Sequence, residues 1–325
     1  MNGRKEHEIK SERRVYEKLK NCPDYMMEYY NYLIDKTYTS RERYIGTVIR
    51  FLEYLKDKGF DIDDVNKFKT IKVNDINLYI VSMDKLSQGT KSANMYVIKS
   101  FFDFLYVNDY IEKNIFDKVK MPKDNEERKI TYLTKEEIEL VKTNIENGSG
   151  SELSKKRQCQ WKNRDMALIM TGLYLGLRVS SLVEIDVEDL NLKDNNLKIV
   201  EKGNKIRTIV FSDNLKNILL KWIEDRKNIL VNDEIHALFI SNRGDRISQK
   251  SVSKLVKKYT YNIDKHITPH KLRSTCATNF YNNTGDIYLT ADVLGHSNIS
   301  NTRRYAQISE ERKKKAAEAM DDILF

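Results

Sequence analysis

The sequence predicts a mainly α (α+β) fold, in which a small all-helical domain precedes a mostly helical domain with a small antiparallel β-sheet. Apolar residues recur at the spacing of an α-helix along most of the 325-residue chain. Only 3 prolines and 12 glycines are present, too few for an all-β fold that depends on many turns. The exception lies near residue 200, where two short runs of β-type residues flank a group of turn residues.

Helical periodicity places the first domain at residues 21–120. Residues 1–20 are densely charged, so we expect them to form a flexible arm. One amphipathic helix ends at Gly59, and a second is expected to begin at a Thr90 cap. No internal repeat is recognised in the sequence. The apolar positions predicted to form the core of the two helices are Ile45, Val48, Ile49, Phe51, Leu52, Leu55, Met95, Ile98, Phe101, Phe102 and Leu105.

The second domain is predicted at residues 134–308, after a linker at residues 121–133 that is rich in charges and contains a proline. Its first residues have the Thr-x-x-Glu pattern of a helix capping box, Thr134 to Glu137. The two β-type runs, Asn196–Glu201 and Arg207–Phe211, are predicted to pair as a hairpin. That pairing places Lys202 at the hairpin tip.

The last segment, residues 309–325, has the pattern of a helix with an apolar stripe at its end. The stripe can pack on the segment's own domain or on another molecule. We expect it to dock on a neighbouring protomer.

Positive charge is concentrated in one part of the chain, whose formal net charge is +9. From Arg243 to Arg273, nine lysines and arginines are opposed by only two acidic residues. Such an excess predicts a surface that faces phosphates, although a solvated helix face would have the same composition. The residues predicted to contact DNA, including two in the first domain, are Lys91, Lys99, Arg243, Lys250, Lys254, Lys257, Lys258 and Lys271.

Composition also excludes several classes of protein. The sequence has no apolar run of 18 residues, and its N-terminus lacks the apolar region of a secretory signal. The three cysteines lie far apart, which disfavours a disulfide framework or a zinc cluster. We therefore expect a cytoplasmic protein with no membrane partner and no zinc cluster.

Two motifs place arginines where an anion is needed. Arg178 ends the apolar run GLYLGL, where a guanidinium is costly to desolvate unless a phosphate or an internal carboxylate pairs with it. Pro269 suits the first position of a helix, so His270 and Arg273 share one face of its first turns. The free N–H groups of a helix start favour an anion there, although a simple cap with a surface arginine is the alternative.

Two further motifs carry reactive side chains. Lys202 stands in the hairpin turn, where most lysines are simply solvated. His296 follows Gly295, which is typical of a helix end, and Tyr305 lies nine residues later on the next predicted helix. With 19 tyrosines in the chain, a single tyrosine is ordinarily a core or surface residue.

Taken together, these motifs resemble the tyrosine recombinase (phage integrase) family. The segments GLRVSSL, EKGNK, HKLRSTCAT and LGHSNISNTRRY occur in the family's order and spacing. Its signature is Arg, Lys, His-x-x-Arg, His and Tyr, and the chain length resembles that of its compact, Xer-like members. The resemblance implies that the first domain is a core-binding domain. It also implies that the catalytic residues are Arg178, Lys202, His270, Arg273, His296 and Tyr305.

The sequence departs from the family pattern at supporting positions. Ser181 stands where a glutamate is common, and Ser274 where a second histidine is common. Lys205 is a rival to Lys202 for the role of the catalytic lysine. These departures concern the tuning of the site more than its chemistry.

The resemblance implies a site-specific recombinase that cleaves and rejoins DNA through a 3′-phosphotyrosyl intermediate, with Tyr305 as nucleophile and without metal or ATP. It would integrate or excise a mobile element, or resolve DNA molecules, in the bacterial cytoplasm, associated with the nucleoid and without a metal or other cofactor. The implied partners are double-stranded DNA, further copies of the chain (monomer or weak oligomer in solution, tetramer on two DNA sites) and possible accessory directionality proteins. The alternatives are a type IB topoisomerase and a non-catalytic DNA-binding regulator derived from a recombinase.

Overall fold

The computed structural model describes residues 3–123, 130–200, 206–229, 234–295, 298–306 and Met320. The chain divides into two compact units, Met1–Glu127 and Arg128–Phe325. The predicted fold class is confirmed, because helices dominate both units and three short strands form one antiparallel sheet in the second. No helix in the described part of the chain is long and apolar enough to cross a membrane.

The described residues of the first unit form helices and 3-10 turns joined by loops, with no strand. An aromatic core fills its centre, where the ring centroids of Tyr29 and Phe101 lie 5.1 Å apart and those of Phe51 and Tyr79 lie 5.0 Å apart. Edge-to-face ring pairs of this kind add stability beyond the apolar area that they bury. Its helices are α1 (Gly3–Leu19), α2 (Tyr25–Tyr32), α3 (Tyr38–Asp57), α4 (Val73–Ser82) and α5 (Gln88–Val107), with 3-10 turns at Val65–Thr70 and Ile115–Lys118.

The N-terminal segment is a helix, so the expectation of a flexible arm is wrong for residues 3–19. Helix α1 packs on α3, burying Val15 and Leu19 in the core of the unit. These two residues are four apart and therefore share one face of the helix. Arg14 adds a bidentate ion pair to Glu42, with both N–O distances at 2.9 Å. Two well-placed apolar residues thus dock a segment whose composition is dominated by charge.

Helices α3 and α5 have equivalent local structures. Helix α3 runs from residue 38 to 57, and α5 runs from 88 to 107, so both ends of α5 lie 50 residues after those of α3. Each begins with a hydroxyl cap, and the Ser87 side chain accepts from the Thr90 N–H, so the predicted cap at Thr90 is wrong by three residues. Each is followed by a residue in the left-handed region, Gly59 with φ 83° and Asp109 with φ 60°. The structure therefore contains a repeated element that the sequence did not reveal.

The second unit surrounds its own apolar core. Helix α8 lies at the centre and packs on α10 and α12. The capping box at Thr134 is present, with the Glu137 side chain accepting from the Thr134 N–H at 2.8 Å. Its helices are α6 (Lys135–Asn147), α7 (Glu152–Cys159), α8 (Lys162–Leu175), α9 (Val179–Glu184), α10 (Asp213–Ile229), α11 (Gln249–Tyr259), α12 (Pro269–Thr284), α13 (Ile287–Leu294) and α14 (Ser300–Arg303), with 3-10 turns at Val187–Asp189 and Arg304–Ala306.

The sheet has the strand order β1 (Leu190–Asn191), β2 (Asn196–Val200) and β3 (Ile206–Val210), all antiparallel. The register pairs Ile199 with Arg207, so the chain reverses between β2 and β3 as predicted for the hairpin. The hairpin tip, with Lys202, lies outside the described residues, as does the C-terminal segment 309–325 except for Met320.

Candidate active site

Helix α12 provides the frame of the candidate site. Thr268 is its N-cap residue, without a side-chain cap bond, and Pro269 occupies the first turn as predicted. His270 and Arg273 follow on this first part of the helix. Arg273 is only 2% exposed, which is unusual for a side chain that carries a permanent charge.

Two backbone carbonyls hold the Arg273 guanidinium. Nη1 donates to the Gly176 oxygen at 2.6 Å, and Nη2 donates to the Leu294 oxygen at 2.7 Å. Gly176 ends α8 in the left-handed conformation, and Leu294 is the last residue of α13. Carbonyls at helix C-termini lack intrahelical partners and carry partial negative charge, so they suit a guanidinium. The two helix ends thus fix the position of Arg273.

Arg178 brings a second guanidinium to the same place. It is the N-cap residue of α9 and is exposed. Burial and, next in size, the positive charge of Arg178 together lower the pKa of Arg273 to about 10. A charge that acts on Arg273 in this way must lie close to it. The two arginines therefore form one positive cluster, open to solvent on the Arg178 side.

Tyr305 lies near this cluster, close enough for the charge of its phenolate form to raise the pKa of Arg273. The tyrosine is 3% exposed and packs on Ala277 of α12 and Leu294 of α13. It stands in the 3-10 turn Arg304–Ala306 after α14, whereas the sequence predicted that it lies on a helix. The Arg304 guanidinium carbon is 5.8 Å from the centroid of the Tyr305 ring.

The structure therefore brings together Arg178, His270, Arg273 and Tyr305, four of the six residues predicted to form the site. The other two, Lys202 and His296, lie outside the described residues, as does Lys205. Of the two departures from the family pattern, Ser274 is buried and its hydroxyl donates to the His270 carbonyl at 3.2 Å. Ser181 is half-buried on α9.

Two arginines of the cluster were missed by the sequence prediction. Arg207 on β3 lowers the pKa of Arg273, and Arg304 lowers the pKa of His270. Arg304 could have been noticed because it directly precedes Tyr305. The only sequence signal for Arg207 is a third basic residue just after the hairpin turn.

Cys276 lies beside the site as a buried thiol. Its Sγ donates to the Tyr174 carbonyl at 3.3 Å, and burial raises its pKa to about 12. A thiol with so high a pKa is almost entirely protonated near pH 7 and is a poor nucleophile. Its role in this position is packing.

The residues predicted to contact DNA have different surroundings. Arg243, Lys250, Lys254 and Lys257 are exposed. Two others have partners within the protein: Lys99 pairs with Asp103 at 2.8 Å, and the Lys258 ammonium donates to the Tyr259 hydroxyl at 3.0 Å. Lys91 and Lys271 are half-buried. Among the described residues, no group of three His, Cys, Asp or Glu side chains is placed to hold a metal ion.

The pKa of His270 is held below its usual value by partial burial, and then by the positive charges of Arg304 and Arg273. An ordinary histidine has a pKa of about 6.5, so His270 is expected to be mostly neutral at that pH and able to accept a proton. The unfolded chain binds a proton at His270 more readily than the folded protein does. Protonation of His270 therefore lowers the free energy of unfolding below about pH 6.5, and this effect vanishes above that pH.

We expect imidazole NMR of the free protein to give a His270 midpoint below about 6.5. His236 is the internal control, since its bond to Glu188 at 2.7 Å raises its pKa and should place its midpoint above that value. Binding of a DNA phosphate should raise the His270 midpoint. A midpoint at or above that of His236 would contradict the positive surroundings described for His270.

Gly176 is expected to tolerate no side chain. Its φ is +59°, and an added Cβ would lie 2.8 Å from Leu294 Cδ2 and 3.0 Å from Cys276 Sγ. Gly176→Ala should lower the free energy of unfolding by about 1–3 kcal/mol and displace the carbonyl that binds Arg273. The control is Gly59→Ala, also at positive φ but with nothing within 4 Å. Equal melting temperatures for the two variants would contradict the crowding at Gly176.

The sequence is similar to that of known proteins. The chain matches the phage integrase family over residues 131–312. It is 30% identical to tyrosine recombinase XerC of Caldanaerobacter subterraneus subsp. tengcongensis, over 90% of this chain and 86% of that protein. It is 29% identical to tyrosine recombinase XerD of Oceanobacillus iheyensis, over 87% of this chain and 91% of that protein.

Solved structures share the fold. XerH site-specific recombinase, bound to its palindromic difH substrate after cleavage, aligns with a TM-score of 0.69 and 19% identity, covering 88% of this chain and 81% of that one. The Tn1549 transposon integrase, bound to transposon right end DNA, aligns with a TM-score of 0.67 and 21% identity, covering 91% of this chain and 99% of that one.

Proposed function

The chain belongs to the phage integrase family and is a tyrosine-type site-specific DNA recombinase, and we propose that Tyr305 is the nucleophile that cleaves the DNA strand. The observation that carries this proposal is the convergence of Tyr305 with the buried, carbonyl-held Arg273 and the exposed Arg178. A phosphate placed at this cluster would lie between two guanidiniums and next to a phenol. That is the arrangement that phosphoryl transfer to a tyrosine requires.

In the proposed reaction, the Tyr305 Oη forms a bond to the phosphorus of the scissile phosphate while the bond from phosphorus to the 5′ oxygen breaks. The products are a 3′-phosphotyrosyl linkage and a free 5′-hydroxyl. The 5′-hydroxyl of a partner strand then attacks the phosphotyrosine and releases Tyr305. The covalent intermediate conserves the energy of the phosphodiester, so neither ATP nor a metal is required.

The other residues of the site stabilise charge or move protons in this proposal. Arg178 and Arg273 bind the non-bridging oxygens, where negative charge develops in the transition state. His270, kept neutral by its positive surroundings, accepts the phenol proton. Lys202 protonates the leaving 5′ oxygen, and His296 donates a hydrogen bond to the phosphate.

Double-stranded DNA is the substrate in this proposal. Among the aligned structures, XerH is bound to difH and a lambda integrase dimer is bound to a core site. The exposed basic residues Arg243, Lys250, Lys254 and Lys257 are the proposed phosphate contacts. Strand exchange joins two duplexes, so we propose a tetramer on two DNA sites, acting on a mobile element or on DNA molecules to be resolved in the bacterial cytoplasm.

The test uses duplexes that span the DNA junctions flanking the gene, with EDTA present and ATP absent. We expect the protein to exchange strands between two such duplexes, and to form a covalent band on a nicked duplex in a denaturing gel. Plasmid relaxation without exchange between two sites would favour a topoisomerase. Tight, specific binding with neither exchange nor a covalent band would favour a regulator and overturn the proposed reaction.

A further inference from the structure

Arg207 connects the sheet to the end of α13. It lies on β3, paired in register with Ile199 of β2, and is half-buried. Its Nη1 donates to the Val293 carbonyl at 2.7 Å and to the Asp292 carbonyl at 3.0 Å. These bonds join residues 85 and 86 positions apart in the chain. A single side chain therefore ties the strand after the hairpin to the last turn of a helix.

The last three carbonyls of α13 are all bound by arginines of the site. Asp292 and Val293 accept from Arg207, and Leu294 accepts from Arg273. The helix then ends at Gly295, which adopts the left-handed conformation with φ 64°. His296 is the next residue in the chain. The backbone that leads into His296 is thus held between two guanidiniums.

The same pair of arginines is coupled electrostatically, since the charge of Arg207 lowers the pKa of Arg273. Two like charges so close together repel each other unless something compensates them. The partial negative charge at the α13 C-terminus lies between them and supplies that compensation. The end of α13 and the two arginines therefore stabilise one another's positions.

We propose that Arg207 is a positioning residue of the active site: by binding the Asp292 and Val293 carbonyls it fixes the end of α13, which immediately precedes His296 in the chain, relative to Arg273. The inference rests on the proposed function, because it assigns His296 a place beside the reacting phosphate. In this role Arg207 acts through the backbone of α13. A displacement of about 1 Å at such a position can slow catalysis on the order of a hundredfold.

The test compares Arg207→Met with Arg207→Lys in single-turnover cleavage of a saturating nicked duplex. Methionine keeps the length of the side chain but cannot donate, so we expect cleavage to slow by about tenfold to a hundredfold. Lysine keeps the charge and can donate to the same carbonyls, so it should recover most of the rate. Affinity for the uncut duplex should fall far less than the cleavage rate in Arg207→Met and should stay close to that of the unmodified protein in Arg207→Lys.

Arg226→Met is the matched control. Arg226 is more buried than Arg207 and also donates to two backbone carbonyls, those of Ala237 and Ile235 in the same unit. Its loss should lower the melting temperature without a selective loss of cleavage. If Arg207→Met and Arg226→Met slow cleavage equally for equal losses in melting temperature, Arg207 has only a structural role and the inference is wrong.

A double-mutant cycle with His296→Gln identifies the route of the effect. If Arg207 acts through His296, adding Arg207→Met to His296→Gln should cause little further loss, because residues that act as a unit are not additive. Full additivity would overturn the inference. The proposed function has its own test: it is wrong if the unmodified protein forms no covalent adduct. If Arg207→Met forms the adduct as fast as the unmodified protein does, only the role of Arg207 is refuted.

Discussion

Replacing Tyr305 with phenylalanine is expected to abolish the covalent DNA adduct while leaving duplex binding intact. The substitution removes one oxygen and keeps the ring that packs on Ala277 and Leu294, so the fold of the site should survive. The loss of a nucleophile typically lowers the rate by on the order of 10⁴-fold or more. The measurement is the yield of covalent band from a labelled nicked duplex in EDTA, beside a binding assay on the same duplex.

The matched control is Tyr259→Phe, which also removes a buried tyrosine hydroxyl in the second unit. That hydroxyl donates to Asp165 at 2.7 Å, so its loss should cost about 1–3 kcal/mol of stability. Adduct formation should persist in this variant. A full yield of adduct from Tyr305→Phe would show that another side chain is the nucleophile.

Arg273→Lys is expected to damage both stability and cleavage, although it conserves the charge. A lysine ammonium cannot match the planar fork that reaches the Gly176 and Leu294 carbonyls and still presents N–H groups to a phosphate. The loss of one buried hydrogen bond costs about 1–3 kcal/mol of stability. The loss of a preorganised donor at the phosphate costs on the order of 10²–10³ in rate.

Arg178→Lys separates the two effects. Arg178 is exposed, so this substitution should slow cleavage without a comparable change in the melting temperature. Thermal melting and single-turnover cleavage of both variants provide the comparison. If Arg273→Lys melted and cleaved like the unmodified protein, the two carbonyl bonds would have no bearing on the site.

The sequence predicted which side chains form the site better than it predicted the hydrogen bonds that hold them in place. Arg178, His270, Arg273 and Tyr305 were predicted because their motifs together resemble the family signature, and the structure brings these four residues together. Arg207 could not be predicted in the same way. Its partners are backbone carbonyls about 85 residues away, and backbone groups leave no trace in the residue types.

The errors in the first unit have a similar origin. The charges of residues 1–20 suggested an arm, but a helix can dock through apolar residues on one face, here Val15 and Leu19, when a complementary core exists. Ser87 and Thr90 are both suitable caps, and only the backbone conformation shows that Ser87 is the one used. The equivalence of α3 and α5 lies in shared caps and turns, while few side chains are identical.

The surroundings of Arg273 differ from those of Arg164, which is 3% exposed in the same unit. Arg164 pairs with the carboxylate of Asp165 at 2.7 Å, so its charge is neutralised by a neighbour of opposite sign. The carbonyls that hold Arg273 fix its geometry but carry no formal charge, and its full positive charge remains available to a ligand. A carboxylate in their place would stabilise the empty protein more, yet it would compete with every incoming phosphate for the same guanidinium. Neutral acceptors thus orient the guanidinium without neutralising its charge.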